Sequence, residues 1–89
     1  MRAEDGTLQE FPCAFPLKII GRRGDDFAQQ VVAIVLEHAP DFRPETVEMR
    51  ASGGGNYLAL TCTIQARSRP QLDDLYRALT AHPAVKVVF

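Results

Sequence analysis

The sequence contains no tryptophan, only two cysteines, and no uninterrupted apolar run longer than the six residues from Val31 to Leu36. A helix crossing a bilayer needs about 20 apolar residues, so no membrane-spanning helix is expected. Met1 to Glu10 carries Glu4, Asp5 and Glu10 and lacks an apolar h-region. A secretory signal is therefore not expected, and the cytoplasm is the expected location. Cys13 and Cys62 stand far apart and alone. They fit neither a metal-finger spacing nor a redox Cys-x-x-Cys, and read as small, reduced, buried hydrophobes. Charge of one sign is also missing: ten Lys and Arg face 11 Asp and Glu, a net charge of −1. That balance lacks the basic excess by which proteins grip nucleic acid.

What is present fits one small domain. Of 89 residues, 46% are hydrophobic and 24% charged, the balance of an ordinary globular chain. The charge is unevenly spread: residues 1–49 hold nine acids and five bases, residues 50–89 two acids and five bases. A local basic patch is possible where a basic protein is not.

Residues 1–9 read as a flexible tail and residues 10–89 as a single domain. From Cys13 to Gly21, Phe15, Leu17 and Ile19 alternate with Pro16, Lys18 and Ile20, a strand. Gly21-Arg22-Arg23-Gly24 breaks it. Asp25 and Asp26 then place negative charge where a helix N-terminus favours it. Phe27, Val31, Ile34, Val35 and His38 recur at helical spacing, predicting a helix over 25–38 that Ala39-Pro40 ends. Val47, Met49 and Ala51 against Thr46, Glu48 and Arg50 predict a second strand over 45–52. Gly53-Gly54-Gly55-Asn56 supplies a turn. Tyr57 to Ala66 alternates most cleanly, with Leu58, Leu60, Cys62, Ile64 and Ala66 on one side. Ser68-Arg69-Pro70-Gln71 is a capping box. It opens a helix striped by Leu72, Leu75, Tyr76 and Leu79, with Asp73 facing Arg77 at i+4. His38 and His82 both sit where helices end, positions at which a cationic side chain complements the dipole. Ala84 to Phe89 is a last strand, with Val85, Val87 and Phe89 on one side.

The order β-α-β-β-α-β, joined by right-handed crossovers, leaves the ferredoxin-like α+β sandwich as the economical solution. It is a four-stranded antiparallel sheet in the order 4-1-3-2 with two helices on one face. The other face is expected to carry Lys18, Ile20, Thr46, Glu48, Arg50, Tyr57, Thr61, Thr63, Gln65, Lys86 and Val88. It is too polar for a second core and suits solvent or a wet partner surface.

Several segments taken together carry a family resemblance. They are Glu10-Phe11-Pro12, the strand end Lys18-Ile19-Ile20-Gly21, His38-Ala39-Pro40, Gly55-Asn56-Tyr57 before an alternating strand, and the closing Val85-Lys86-Val87-Val88. In this order, across Glu10 to Phe89, the chain resembles the YbeD-like family of small bacterial cytoplasmic proteins, whose function is unknown. The resemblance implies a ferredoxin-like fold similar to ACT-type regulatory domains, modules that bind amino acids beside metabolic enzymes. It implies no catalytic residues. The three hairpin glycines and the Arg22-Arg23 pair are local variations on the family pattern.

Two candidate sites follow. The loop Gly21, Arg22, Arg23, Gly24 and Asp25 joins a strand to a helix start, where backbone N–H groups and arginines can hold an anion. The resemblance to ACT-like domains also points to that loop as part of an effector site. Asp25 and Asp26 oppose an anion there. The second candidate is an interaction face of Lys18, Ile20, Arg50, Tyr57, Thr61, Thr63 and Lys86. The Gly53–Gly55 run joins two strands, so no helix dipole backs it as a phosphate cradle.

The expected function is a non-enzymatic, ACT-like regulatory or interaction module with a protein partner or a homodimer. A small-molecule sensor for an amino acid or anion is the alternative. An acylphosphatase-like hydrolase finds the residue types it needs in Arg22, Arg23 and Asn56, but not the surrounding loop pattern. Small copper chaperones need two cysteines where Arg22 and Arg23 stand, so no metal or other cofactor is expected. RNA-recognition modules stack bases on two or three outward aromatics; only Tyr57 faces outward, which leaves weak RNA contact at most.

Overall fold

The computed structural model describes residues 12–89. The tail expected over residues 1–9 and the pair Glu10-Phe11 lie outside the described residues. The four strands are β1 (Cys13–Arg22), β2 (Glu48–Ser52), β3 (Tyr57–Ala66) and β4 (Val85–Val88), and the helices are α1 (Phe27–His38) and α2 (Arg69–Thr80). The sheet order is β2-β3-β1-β4, the expected 4-1-3-2 order read from the other edge, and every pairing is antiparallel. The chain has the ferredoxin-like α+β fold.

The central pair is long and unbroken, running in register from Cys13 opposite Ala66 to Arg22 opposite Tyr57. Strand alternation sends Leu17 and Ile19 of β1 and Leu60, Cys62, Ile64 and Ala66 of β3 to one face, where all are buried. Both helices cover that face. Phe27, Val31 and Val35 of α1 and Leu72, Leu75 and Leu79 of α2 close the same core. Each fully buried Leu, Ile or Phe contributes about 1.5–3 kcal/mol against the chain entropy lost on folding. Ala39 and Phe42, beyond the end of α1, are buried with them.

Polar groups fix the helix ends. Ser68 Oγ accepts from Gln71 N at 3.3 Å, as the capping box requires. The reciprocal bond falls one residue earlier: Gln71 Oε1 accepts from Arg67 N at 2.6 Å. Gln71 Nε2 donates to His38 O at 2.8 Å, tying the start of α2 to the end of α1. His38 itself bonds Ile34 O through Nδ1 at 3.0 Å, one turn back on the last turn of α1.

The structure corrects several expectations. α1 begins at Phe27 rather than Asp25, because Phe27 N bonds Gly24 O and closes a turn first. β2 begins at Glu48 rather than residue 45: Pro44–Thr46 form a 3-10 turn, braced by Thr46 Oγ1 donating to Arg43 O. Thr46 therefore lies outside the strand, beside Thr63 and Gln65. Arg77 pairs with Asp74 at 3.2 Å, not with Asp73, since i+3 and i+4 are both within reach of an exposed arginine. His82 turns away from the end of α2. Its Nδ1 accepts from Ala84 N at 3.1 Å, so the proton sits on Nε2, 2.6 Å from Gln30 Oε1. Its ring meets Phe27 edge-on at 6.0 Å.

The largest correction concerns β4. Val88 pairs with Ile19 and Val87 with Ile20, but Gly21 then pairs with Val85, leaving Lys86 as an extra residue. This bulge flips the parity within the strand. Val85 and Val88 both pack on the core, whereas Val87 and Phe89 turn out to the open face, 45% and 59% exposed. Simple alternation places them the other way.

Candidate interaction face

Register and alternation arrange the open face into rows that cross the sheet. One row runs Arg50, Ala59, Ile20, Val87; the next runs Glu48, Thr61, Lys18, Phe89. Beyond the first row lie Ser52, Tyr57 and Arg22. The face thus grades from charged side chains over β2 to apolar ones over β4. Lys18 spans the two regimes, with its Nζ 6.0 Å from the centroid of the Phe89 ring, a distance at which an ammonium and an aromatic face attract.

A depression of about 330 Å³ lies at the charged end, lined by Lys18, Glu48, Met49, Arg50, Ala59 and Thr61. Its cause is local: Ala59 and Thr61 are short, and the long side chains of Lys18, Glu48 and Arg50 stand around them. Among the described residues the ion pairs are Arg43–Glu45, Arg67–Asp41 and Arg77–Asp74. None of these engages Lys18, Arg22 or Arg50, so among the described residues this face sets three cations against one acid, Glu48. A second depression, about 210 Å³, is lined by Asp41, Phe42, Arg43, Thr46, Thr63, Ile64 and Gln65. Thr63, two residues along the same face from Thr61, lines that second hollow. Lys86 is exposed on the β4 bulge.

The Gly21–Asp25 loop has a strong structural occupation. Gly21 is buried, and a Cβ there would meet Phe27 Cζ at 2.4 Å and Ala84 O at 2.5 Å. Arg22 N bonds Ala84 O at 2.9 Å, while Arg23 N bonds Asn56 O at 3.0 Å and its guanidinium reaches Gly55 O at 3.4 Å. The loop is therefore laced to the glycine hairpin, in which Gly53, Gly54 and Gly55 all take positive φ. Asn56 sits at the end of that hairpin turn, so it does not stand on the sheet where an acylphosphatase asparagine would. Asp25 and Asp26 remain exposed at the start of α1.

Two titrating groups depart from their ordinary behaviour. Burial pushes the Cys62 thiol up to about 11, which suits an inert core residue. Glu45 is held below the usual carboxylate range by its backbone hydrogen bond and by the Arg43 guanidinium. Both lie off the open face. Among the described residues no group of three His, Cys, Asp or Glu is placed to hold a metal ion, and no helix is long and apolar enough to cross a membrane.

Sequence reasoning misses Val87 and Phe89 as members of the face. Ala59 is readable from the alternation of β3. Val87 and Phe89 are not, because a one-residue bulge leaves no mark in a run of valines.

Comparison with known proteins agrees with this architecture. A family described as a protein of unknown function, DUF493, matches residues 6–89. A UPF0250 protein of Ralstonia nicotianae is 55% identical over 82 residues, covering 92% of this chain and 84% of that one. Among solved structures, the crystal structure of the ACT domain from the GTP pyrophosphokinase of Chlorobium tepidum superposes with a TM-score of 0.66 at 16% identity. That match covers 86% of this chain and 97% of that one. The C-terminal domain of the MgtC protein from Mycobacterium tuberculosis gives a TM-score of 0.69 at 16% identity, over 92% and 89% of the two chains. The YbeD-like resemblance and the ACT-like fold read from the sequence are both borne out.

Proposed function

The chain belongs to DUF493, a family of proteins of unknown function, and from that premise we propose that it is a non-enzymatic interaction module of ACT-like type. It presents its open sheet face to a protein partner whose docked surface is apolar at its centre and acidic around it. The observation that carries this reading is the face itself. Ile20, Val87 and Phe89 form an apolar strip, Lys18 and Arg22 stand beside it outside any ion pair among the described residues, and Tyr57 flanks it. Interfaces concentrate binding energy in aromatic and arginine anchors within an apolar centre.

The test places a photo-crosslinking amino acid at Thr61, on the face, or at Glu37, on the exposed side of α1, in the cell of origin. A partner with an acidic docking surface is expected to crosslink from Thr61 and not from Glu37. The crosslink should be lost when Lys18→Glu and Val87→Asp are added together. Equal crosslinking from both positions, or crosslinks to RNA in place of protein, overturns the proposal.

A second reading, a sensor for a small anion or amino acid, is favoured by the 330 Å³ depression flanked by Lys18 and Arg50. It moves the ligand away from the Gly21–Asp25 loop, whose buried glycine and Arg23 are already engaged. A panel of amino acids and inorganic anions in a thermal-shift assay tests it. A ligand at 100 times its Kd adds about 2.7 kcal/mol of stability, so an unmoved Tm at millimolar concentrations refutes it.

A further inference from the structure

The strand β2 is an edge of the sheet, and all five of its residues are exposed. Its backbone polarity follows from the ladder. Lys18 exchanges both backbone hydrogen bonds with Phe89 of the β4 side. Antiparallel strands alternate the direction of these groups residue by residue. Odd-numbered residues of β1 therefore bond β3, and Ala59 and Thr61 of β3 bond their β2 partners Arg50 and Glu48. That leaves the N–H and C=O of Met49 and Ala51 aimed outward at the free edge. Met49 is opposite buried Leu60 and so lies on the helix side of the sheet, yet it is 61% exposed, because the helices do not reach over β2.

An open edge of this kind invites another strand. We propose that the occupant is β2 of a second copy of this chain, paired antiparallel about a two-fold axis through Met49. The charge pattern selects both the partner and the register. In an antiparallel two-fold pair centred on Met49, Glu48 of each copy lies opposite Arg50 of the other. These are non-hydrogen-bonded positions, where side chains approach closely, with Cα atoms about 4.5 Å apart. Met49 meets Met49 at the centre, exchanging both backbone bonds and covering the exposed thioether on the helix side. Ala51 N–H reaches Val47 C=O of the other copy, a carbonyl at the start of the strand. Shifting the axis by one residue sets Arg50 against Arg50 or Glu48 against Glu48, and like charges directly opposite destabilise a strand pair. Edge charges that block indiscriminate pairing thus favour this register, the one in which Glu48 and Arg50 of each copy meet their opposites. The interface is isologous, so assembly stops at a dimer with one sheet continuous across both copies. It uses the β2 edge and stands whether or not the open face takes a partner.

Sedimentation velocity on the full chain, from about 1 µM to about 1 mM, tests the proposal over the weak end of the affinity scale. The wild type is expected to show a monomer–dimer equilibrium. Glu48→Arg and Arg50→Glu, each alone, bring like charges face to face twice and should weaken the dimer at least tenfold. In an equal mixture of these two single variants, both pairs that meet across the axis join an arginine to a glutamate. The mixture should therefore form a heterodimer of near wild-type affinity. The Glu48→Arg/Arg50→Glu double variant should dimerise on its own. Restoration by mixing also shows that each variant is folded. A wild type that is monomeric throughout, a dimer indifferent to either reversal, or a mixture that fails to associate while the circular dichroism of both variants matches the wild type, overturns the proposal.

Discussion

Adding one methyl group at Gly21 is the sharpest test of how β1, α1 and β4 are held together. The new Cβ would lie 2.4 Å from Phe27 Cζ, 2.6 Å from Phe27 Cε1 and 2.5 Å from Ala84 O. The ring can move only by leaving a site in which Phe27 is 3% exposed. The oxygen is less free, because Ala84 O accepts from Arg22 N at 2.9 Å and anchors the entry to β4. Overpacking a filled core costs about 1–3 kcal/mol, and a clash against both a packed ring and a bonded carbonyl belongs at the upper end. A loss of about 3 kcal/mol lowers the Tm of a domain this size by roughly 12–24 °C. Thermal and urea denaturation followed by circular dichroism measures it. Gly24→Ala is the matched control: a Cβ there meets nothing within 4 Å. By restricting the unfolded chain, it should leave stability unchanged or raise it by about 0.4–1 kcal/mol. Phe27→Leu added to Gly21→Ala relieves the ring but not the carbonyl, so the pair should show a favourable coupling without full recovery. A Gly21→Ala protein melting within about 3 °C of the wild type, less than about 1 kcal/mol, refutes this account of the joint.

Ser68→Ala removes the acceptor for Gln71 N and should cost about 1 kcal/mol in urea denaturation. Gln71→Ala should cost more, since it removes the bonds to Arg67 N and His38 O together; equal losses would mean that the link between the helices carries no weight. Cys62 is 0% exposed and its thiol is raised from 9.0 to about 11 by burial. Its folded pKa lies above the unfolded one, so the unfolded state alone gives up the proton between those values. Stability should therefore hold below pH 9 and fall between pH 9 and 11, by up to about 1.4 kcal/mol per pH unit. Native Cys62 should also resist iodoacetamide until the protein unfolds, and mass spectrometry showing rapid native labelling of Cys62 would contradict its burial.

Wherever one periodicity runs without interruption, the residues alone are enough to read the fold. The alternation of Tyr57 to Ala66 sets both ends of β3, and the Leu72, Leu75 and Leu79 stripe with Ser68 before it sets α2. Reading fails where a backbone event is not encoded in side-chain pattern. Pro44 starting a 3-10 turn moves the beginning of β2 from residue 45 to Glu48. The bulge at Lys86 reverses Val87, Val88 and Phe89, and valine suits either face of a sheet. The candidate loop at Gly21 reads as a binding turn because glycine next to arginine suits an anion. The ring and carbonyl that need that glycine lie at Phe27 and Ala84, one across a turn and the other at the far end of the chain. Lys18, Ile20, Arg50 and Thr61 do gather onto one face as expected, since β-sheet parity is local.

The two edges of the sheet are treated differently, and that difference joins the two proposals. β4 is four residues long and carries a bulge, devices that shorten and twist an edge against further pairing. β2 has regular register along its whole length, and its protection lies in charge alone. Pairing through β2 places Glu48 and Arg50 of both copies at the middle of a doubled sheet. It leaves Ile20, Val87 and Phe89 of each copy toward the outer margins, with Lys18 between. Assembly and docking therefore draw on separate residues. Arg50→Glu should weaken the dimer at least tenfold while the monomer still crosslinks to its partner from Thr61. Val87→Asp should do the reverse, leaving the sedimentation equilibrium intact while the crosslink disappears. A single variant that removed both would mean that one surface, and not two, underlies the behaviour of this chain.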